Sequence, residues 1–210
     1  PNRVAAKPAD MAIGVFDSGV GGLSVHSALV QRMPNADFVY LADQANAPYG
    51  GREGEEIVDL TRRGCETLFD QGCDLVVLAC NTASGIALRR LQQTWLPGYR
   101  KQIGRPVNIL GIIVPTIEAA TGVPWEHEAE RRGEKVEKLD ILAVFCTPAT
   151  ARSRVYEIEI DKRRQDVAVF AEPLGHNPIL ELARRYLPYP GKARDPQERP
   201  LRYADLEALG

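Results

Sequence analysis

The sequence predicts an α/β fold built on a mainly parallel sheet with helices on both faces. Three observations carry that expectation. Short apolar segments recur at residues 12–16, 38–42, 74–79, 107–113, 141–145 and 167–170. Stretches with helical apolar spacing lie between them, as at 21–31, 53–69 and 82–95. The short segments are uniformly apolar instead of alternating, as strands covered on both faces are.

Taken in order, residues 12–16 form a buried strand that runs into Asp17-Ser18-Gly19-Val20-Gly21-Gly22, a glycine-rich turn before the helix 21–31. The strand 38–42 leads through Asp43 to Pro48-Tyr49-Gly50-Gly51, a turn sequence, and then to the helix 53–69. The strand 74–79 feeds a helix over 82–95 that Leu96-Pro97-Gly98 should end. A strand over 107–113 and a helix from about Pro115 follow. The strands 141–145 and 167–170 should each precede a helix, over 149–160 and 178–186. Residues 125–138 are dense in charge and read as a solvated loop or exposed helix. Pro188, Pro190, Pro196 and Pro200 exclude a regular helix or central strand over 187–200, and 203–209 reads as one short helix.

Composition removes several classes of function. A length of 210 residues with 44% hydrophobic residues suffices for one large or two small domains. The net charge of −2 gives no basic excess for a nucleic-acid partner. No apolar run approaches the roughly 20 residues that span a membrane, and the first ten residues lack the core of a secretion signal. Cys65, Cys73, Cys80 and Cys146 have no zinc spacing, and His26, His127 and His176 are dispersed, so no metal is expected. A reducing, cytoplasmic setting fits this cysteine usage.

Ligands of parallel α/β sheets bind beyond the carboxyl ends of the strands. The run Leu75-Val76-Val77-Leu78-Ala79-Cys80-Asn81-Thr82-Ala83-Ser84 puts a thiol where a strand ends and a helix starts. Free N–H groups and the positive dipole end there favour a thiolate over a thiol. The other reading of Cys80 is an inert buried cysteine. Asp17 is either a turn-capping residue or a carboxylate facing a substrate amine or the thiol. Tyr49 and Gly50 belong to a plain loop or to one that binds a small polar ligand. Asn81 and Thr82 are helix caps or hold a substrate carboxylate. Glycines, small polar groups and one thiol at three strand ends suit a small anionic substrate and acid–base chemistry.

Three motifs together resemble the glutamate racemases, cofactor-independent members of the aspartate/glutamate racemase superfamily. They are residues 13–23 with Asp17-Ser18-Gly19-Val20-Gly21-Gly22, then Pro48-Tyr49-Gly50, then Ala79-Cys80-Asn81-Thr82-Ala83-Ser84. Weaker likenesses are 111–120 and Thr147-Pro148-Ala149-Thr150. The resemblance implies two flavodoxin-like, three-layer halves with mainly parallel sheets, 11–105 and 106–210, and the active site between them. It implies that Cys80 is one of two catalytic thiols and that Asp17 supports it or the substrate amine. Ser18, Tyr49, Gly50, Asn81 and Thr82 would hold the charged groups of glutamate. It further implies no cofactor, a homodimer, and a role in supplying D-glutamate for peptidoglycan; the alternatives are a one-thiol relative of the same superfamily, a decarboxylase or isomerase, and a truncated non-catalytic glutamate-binding protein.

Inverting a stereocentre removes a proton from one face and returns one to the other, so two positioned groups are needed. The family's second cysteine lies in a late Gly-Cys-Thr-His motif that this sequence lacks. The second half and closing segment are therefore expected to be incomplete. Cys146 follows an apolar strand and is the candidate for the second acid/base, although a small buried cysteine at a position where the family usually carries glycine is the plainer reading. Cys65 and Cys73 read as structural, and His176 as part of a surface turn.

Overall fold

The computed structural model describes residues 12–124, 140–164 and 167–173. Strands β1 (Ala12–Asp17), β2 (Asp37–Ala42), β3 (Cys73–Leu78) and β4 (Asn108–Gly111) form a parallel sheet in the order β2-β1-β3-β4. Strands β5 (Asp140–Cys146) and β6 (Val167–Pro173) form a separate parallel pair. The expected α/β class with parallel sheets holds. Central position explains why β1 and β3 read as apolar runs: Val15, Phe16, Val76 and Leu78 are fully buried.

The helices pack on these strands through the spacing seen in the sequence. Helix α1 (Leu23–Arg32) follows the glycine turn. Helix α2 (Gly54–Asp70) buries Ile57, Leu60, Thr61, Gly64, Leu68 and Phe69 along one stripe. Gly64 permits that contact, because a Cβ there would lie 2.3 Å from the Phe16 ring. Helix α3 (Asn81–Ile86) starts directly after Cys80, and α4 (Leu88–Arg90) continues it.

The expected helix end at residues 96–98 is corrected by the structure. A π-helical turn, Leu91–Trp95, joins α4 to α5 (Leu96–Ile103), and helical backbone persists to Ile103. Pro97 falls in the first turn of α5, where its missing N–H is tolerated beside the wider turn. The rings of Trp95 and Tyr99 pack across the junction, 4.6 Å apart between centroids and tilted by 31°. Gly104, at φ 65°, ends the helix in the left-handed conformation that glycine adopts freely.

Helix α6 (Ile113–Thr121) begins two residues before the expected start. The helix expected over 149–160 is two pieces, α7 (Pro148–Ser153) and α8 (Val155–Asp161). They are broken at Arg154, which has φ 53°. Strand β4, which the expected division at 105/106 assigns to the second half, pairs with β3 in the first sheet. Ile113, Ile117, Tyr156 and Ile160 form a second apolar core beside β5 and β6. The expectations for 125–138, 178–186, 187–200 and 203–209, and for His127 and His176, lie outside the described residues. No helix among the described residues is long and apolar enough to cross a membrane.

Candidate functional site

Parallel register sets the tips of β1, β2 and β3 side by side. Phe16 pairs with Leu78, and Asp17 with Ala42. The ladder runs one step further on each side, with Ala79 N–H donating to Phe16 O at 2.8 Å and Asp43 N–H to Asp17 O at 2.9 Å. Asp17 and Cys80 therefore emerge at the same edge.

Asp17 is buried, and its Oδ2 accepts the Gly22 N–H at 2.7 Å. The Tyr40 hydroxyl lies 3.5 Å from the same oxygen and donates to Gly19 O at 3.2 Å. A Cβ on Gly22 would stand 2.8 Å from Cβ of both Ala79 and Asp17, so only glycine allows this tight wrap. Burial, reinforced by the Asp17 carboxylate, pushes the Tyr40 phenol up to about 12.

Cys80 is itself the residue that caps α3. Its Sγ accepts the Ala83 N–H at 3.4 Å and lies 3.3 Å from Ser18 Oγ. The capping role that Asn81 and Thr82 offered in the sequence belongs to the sulfur. Thr82 instead turns to the second sheet. Its Oγ1 is 2.9 Å from Thr147 Oγ1 and accepts from Thr150 Oγ1 at 3.4 Å. Thr147 caps α7 and lies 3.0 Å, oxygen to oxygen, from Thr150.

Gly50 joins the same seam. Its carbonyl accepts the Ala149 N–H at 2.9 Å, and a Cβ on it would lie 2.6 Å from Thr147 Cβ. Tyr49 faces inward: its ring is 1% exposed and its hydroxyl donates to Asp43 Oδ2 at 2.7 Å. Burial, followed by the hydrogen bond to Asp43, drives this phenol far above its ordinary range. The Tyr49 side chain thus braces the loop, and the backbone at Gly50 is what the loop presents. Asn81 is exposed, and its Oδ1 accepts the Tyr156 hydroxyl at 3.0 Å.

Cys146 ends β5 next to Thr147 and is half-buried. A charge on it adds to the burial that raises the Tyr156 phenol. Burial also raises the thiols of Cys65 and Cys73, as expected of structural cysteines. None of the four cysteines is in a disulfide, and no cluster of metal-ligating side chains occurs among the described residues.

The structure therefore brings Asp17, Ser18, Cys80, Thr82 and Gly50 to one seam between two sheets, with Asn81 at its margin. It adds Tyr40 and Tyr156, which the sequence reading does not single out, and gives Thr147 and Thr150 direct contacts to Thr82. Thr147-Pro148 does carry a signal, since a capping threonine followed by proline marks a helix start. Tyr40 and Tyr156 carry none beyond strand and helix spacing. A sulfur held by a hydroxyl and a backbone N–H, on the same edge as a carboxylate, is equipped to carry a proton.

No protein-family model matches the chain. Over 163 residues it is 84% identical to the glutamate racemase of Caulobacter sp. (strain K31), a match covering 78% of this chain and 58% of that one. Over this segment the chain is a homologue of the glutamate racemases. The glutamate racemase of Aquifex pyrophilus superposes with a TM-score of 0.60 at 36% identity, covering 80% of this chain and 57% of that one. The glutamate racemase of Francisella tularensis, solved in complex with D-glutamate, gives a TM-score of 0.61 at 26% identity, covering 84% of this chain and 57% of that one. The chain thus spans less than three-fifths of the length of each of these three enzymes. Its α/β architecture with parallel strands is the glutamate racemase fold over that extent.

Proposed function

We propose that the chain belongs to a glutamate racemase that works without pyridoxal phosphate. The enzyme interconverts L- and D-glutamate and so supplies D-glutamate for peptidoglycan in the cytoplasm, as a homodimer. The observation that carries this reading is the setting of Cys80: a capped sulfur at a strand tip, on one edge with Asp17, in a chain 84% identical to a named glutamate racemase. The bound D-glutamate of the Francisella tularensis enzyme supports the choice of substrate.

In this mechanism Cys80 carries the α-proton on one face of the bound amino acid. Asp17 steadies the substrate ammonium or the sulfur. Removing the proton leaves negative charge shared with the α-carboxylate, and hydrogen-bond donors placed there stabilise it. Ser18, Gly50, Asn81 and Thr82 supply those donors, with Tyr49 fixing the backbone of Gly50. A second group on the opposite face completes the inversion.

The test is Cα exchange in deuterated buffer. Glutamate incubated with the protein gains deuterium at Cα, and Cys80→Ser stops the gain. Persistent exchange in that variant removes Cys80 from the mechanism. Racemisation that Cys146→Ala abolishes assigns the second group to Cys146. Exchange of one enantiomer without racemisation confines the chemistry of this chain to the Cys80 face.

A further inference from the structure

Asn81 follows Cys80 directly, and its amide has two ends with opposite hydrogen-bonding character. The oxygen accepts and the N–H2 donates. An amide free to flip offers an anion either end, and only one is attractive. In this structure the oxygen is taken, because the Tyr156 hydroxyl donates to Asn81 Oδ1 at 3.0 Å.

Tyr156 is well placed to hold that choice. It lies on α8, 75 residues away in sequence, and its residue is only 7% exposed. Its ring is part of the second apolar core with Ile113, Ile117 and Ile160. A ring fixed on several sides delivers its hydroxyl to one point. Burial, together with a charge on Cys146, raises the phenol, so it stays protonated and remains a donor. Asn81 itself is exposed, which leaves the N–H2 end open to a ligand.

We propose that Tyr156 is a positioning residue: by occupying the Asn81 oxygen from the second sheet's core, it commits the Asn81 N–H2 to the carboxylate of the substrate. The inference rests on glutamate as the ligand and adds the device that orients one of its donors. It also ties substrate binding at the tip of β3 to the placement of α8.

The experiment reads the Asn81 side-chain amide by nitrogen-15 NMR, with its resonance assigned through Asn81→Ala. In Tyr156→Phe the Asn81 amide signal shifts or broadens, because its oxygen has lost a partner. D-Glutamate perturbs that signal in the unmodified protein, and the affinity read from the titration is about fivefold weaker in Tyr156→Phe. A merely structural tyrosine would leave the Asn81 signal where it was, and that result overturns the proposal whatever glutamate does. A signal that shifts in Tyr156→Phe but ignores glutamate in the unmodified protein overturns the substrate reading of Asn81, and the proposal with it.

Discussion

The hydroxyls of Thr82 and Thr147 lie 2.9 Å apart, joining the first turn after Cys80 to the turn after β5. Thr150 closes the group by donating to Thr82 at 3.4 Å. The two sheets thus meet through small polar groups beside the candidate catalytic sulfur. Thr82→Val keeps the shape and removes the hydroxyl, leaving Thr147 and Thr150 to each other. The expected loss in urea unfolding is about 1 kcal/mol, with weaker binding of glutamate by calorimetry.

Gly50 gives a sharper contrast. A methyl group there would stand 2.6 Å from Thr147 Cβ, whereas at Gly51 it would meet nothing within 4 Å. Gly50→Ala is expected to lose about 1–3 kcal/mol through forced displacement. Gly51→Ala is expected to stay within about 0.5 kcal/mol of the parent. Denaturant midpoints of the two variants, measured side by side, check this.

Tyr49→Phe removes the donor that Asp43 accepts at 2.7 Å while leaving the buried ring in place. Asn46 still donates to Asp43 at 2.9 and 3.1 Å, so the carboxylate keeps one partner. The expected cost is about 1–2 kcal/mol. Glutamate affinity should fall with it, because the loop that presents Gly50 loosens.

Alkaline pH offers a separate check. The Tyr40 phenol rises from its ordinary 10.0 to about 12 in the folded protein. The unfolded chain therefore gives up this proton first as pH rises. The contribution of Tyr40 to stability is full below pH 10.0 and disappears as pH climbs to about 12. Tyr40→Phe should reduce the loss of stability across that window and leave the slope at neutral pH unchanged. Thermal melts at closely spaced pH values measure it.

Much of the fold was legible because buried parallel strands leave apolar runs that few other structures produce. The tips of β1 and β3 follow from those runs, and with them the places of Asp17 and Cys80 at one edge of the sheet. Neighbour choice was not legible: residues 108–111 read as a strand, yet nothing in them says that β4 borders β3. The continuation of the helix past Pro97 was not legible, because the π-helical turn Leu91–Trp95 beside it has no signature in the local spacing. The inward turn of Tyr49 onto Asp43 was not legible, because a turn sequence does not disclose which way a side chain points. The contact of Tyr156 with Asn81 leaves no trace in local spacing, because the two residues are 75 positions apart.

The central claim is that glutamate sits against the sulfur of Cys80. Site-resolved alkylation by iodoacetamide, quantified by peptide mass mapping with and without saturating D-glutamate, tests it most directly. Protection of Cys80, with Cys65 unmodified in both samples because it is fully buried, is the expected result. An unchanged rate at Cys80 under saturating D-glutamate contradicts it.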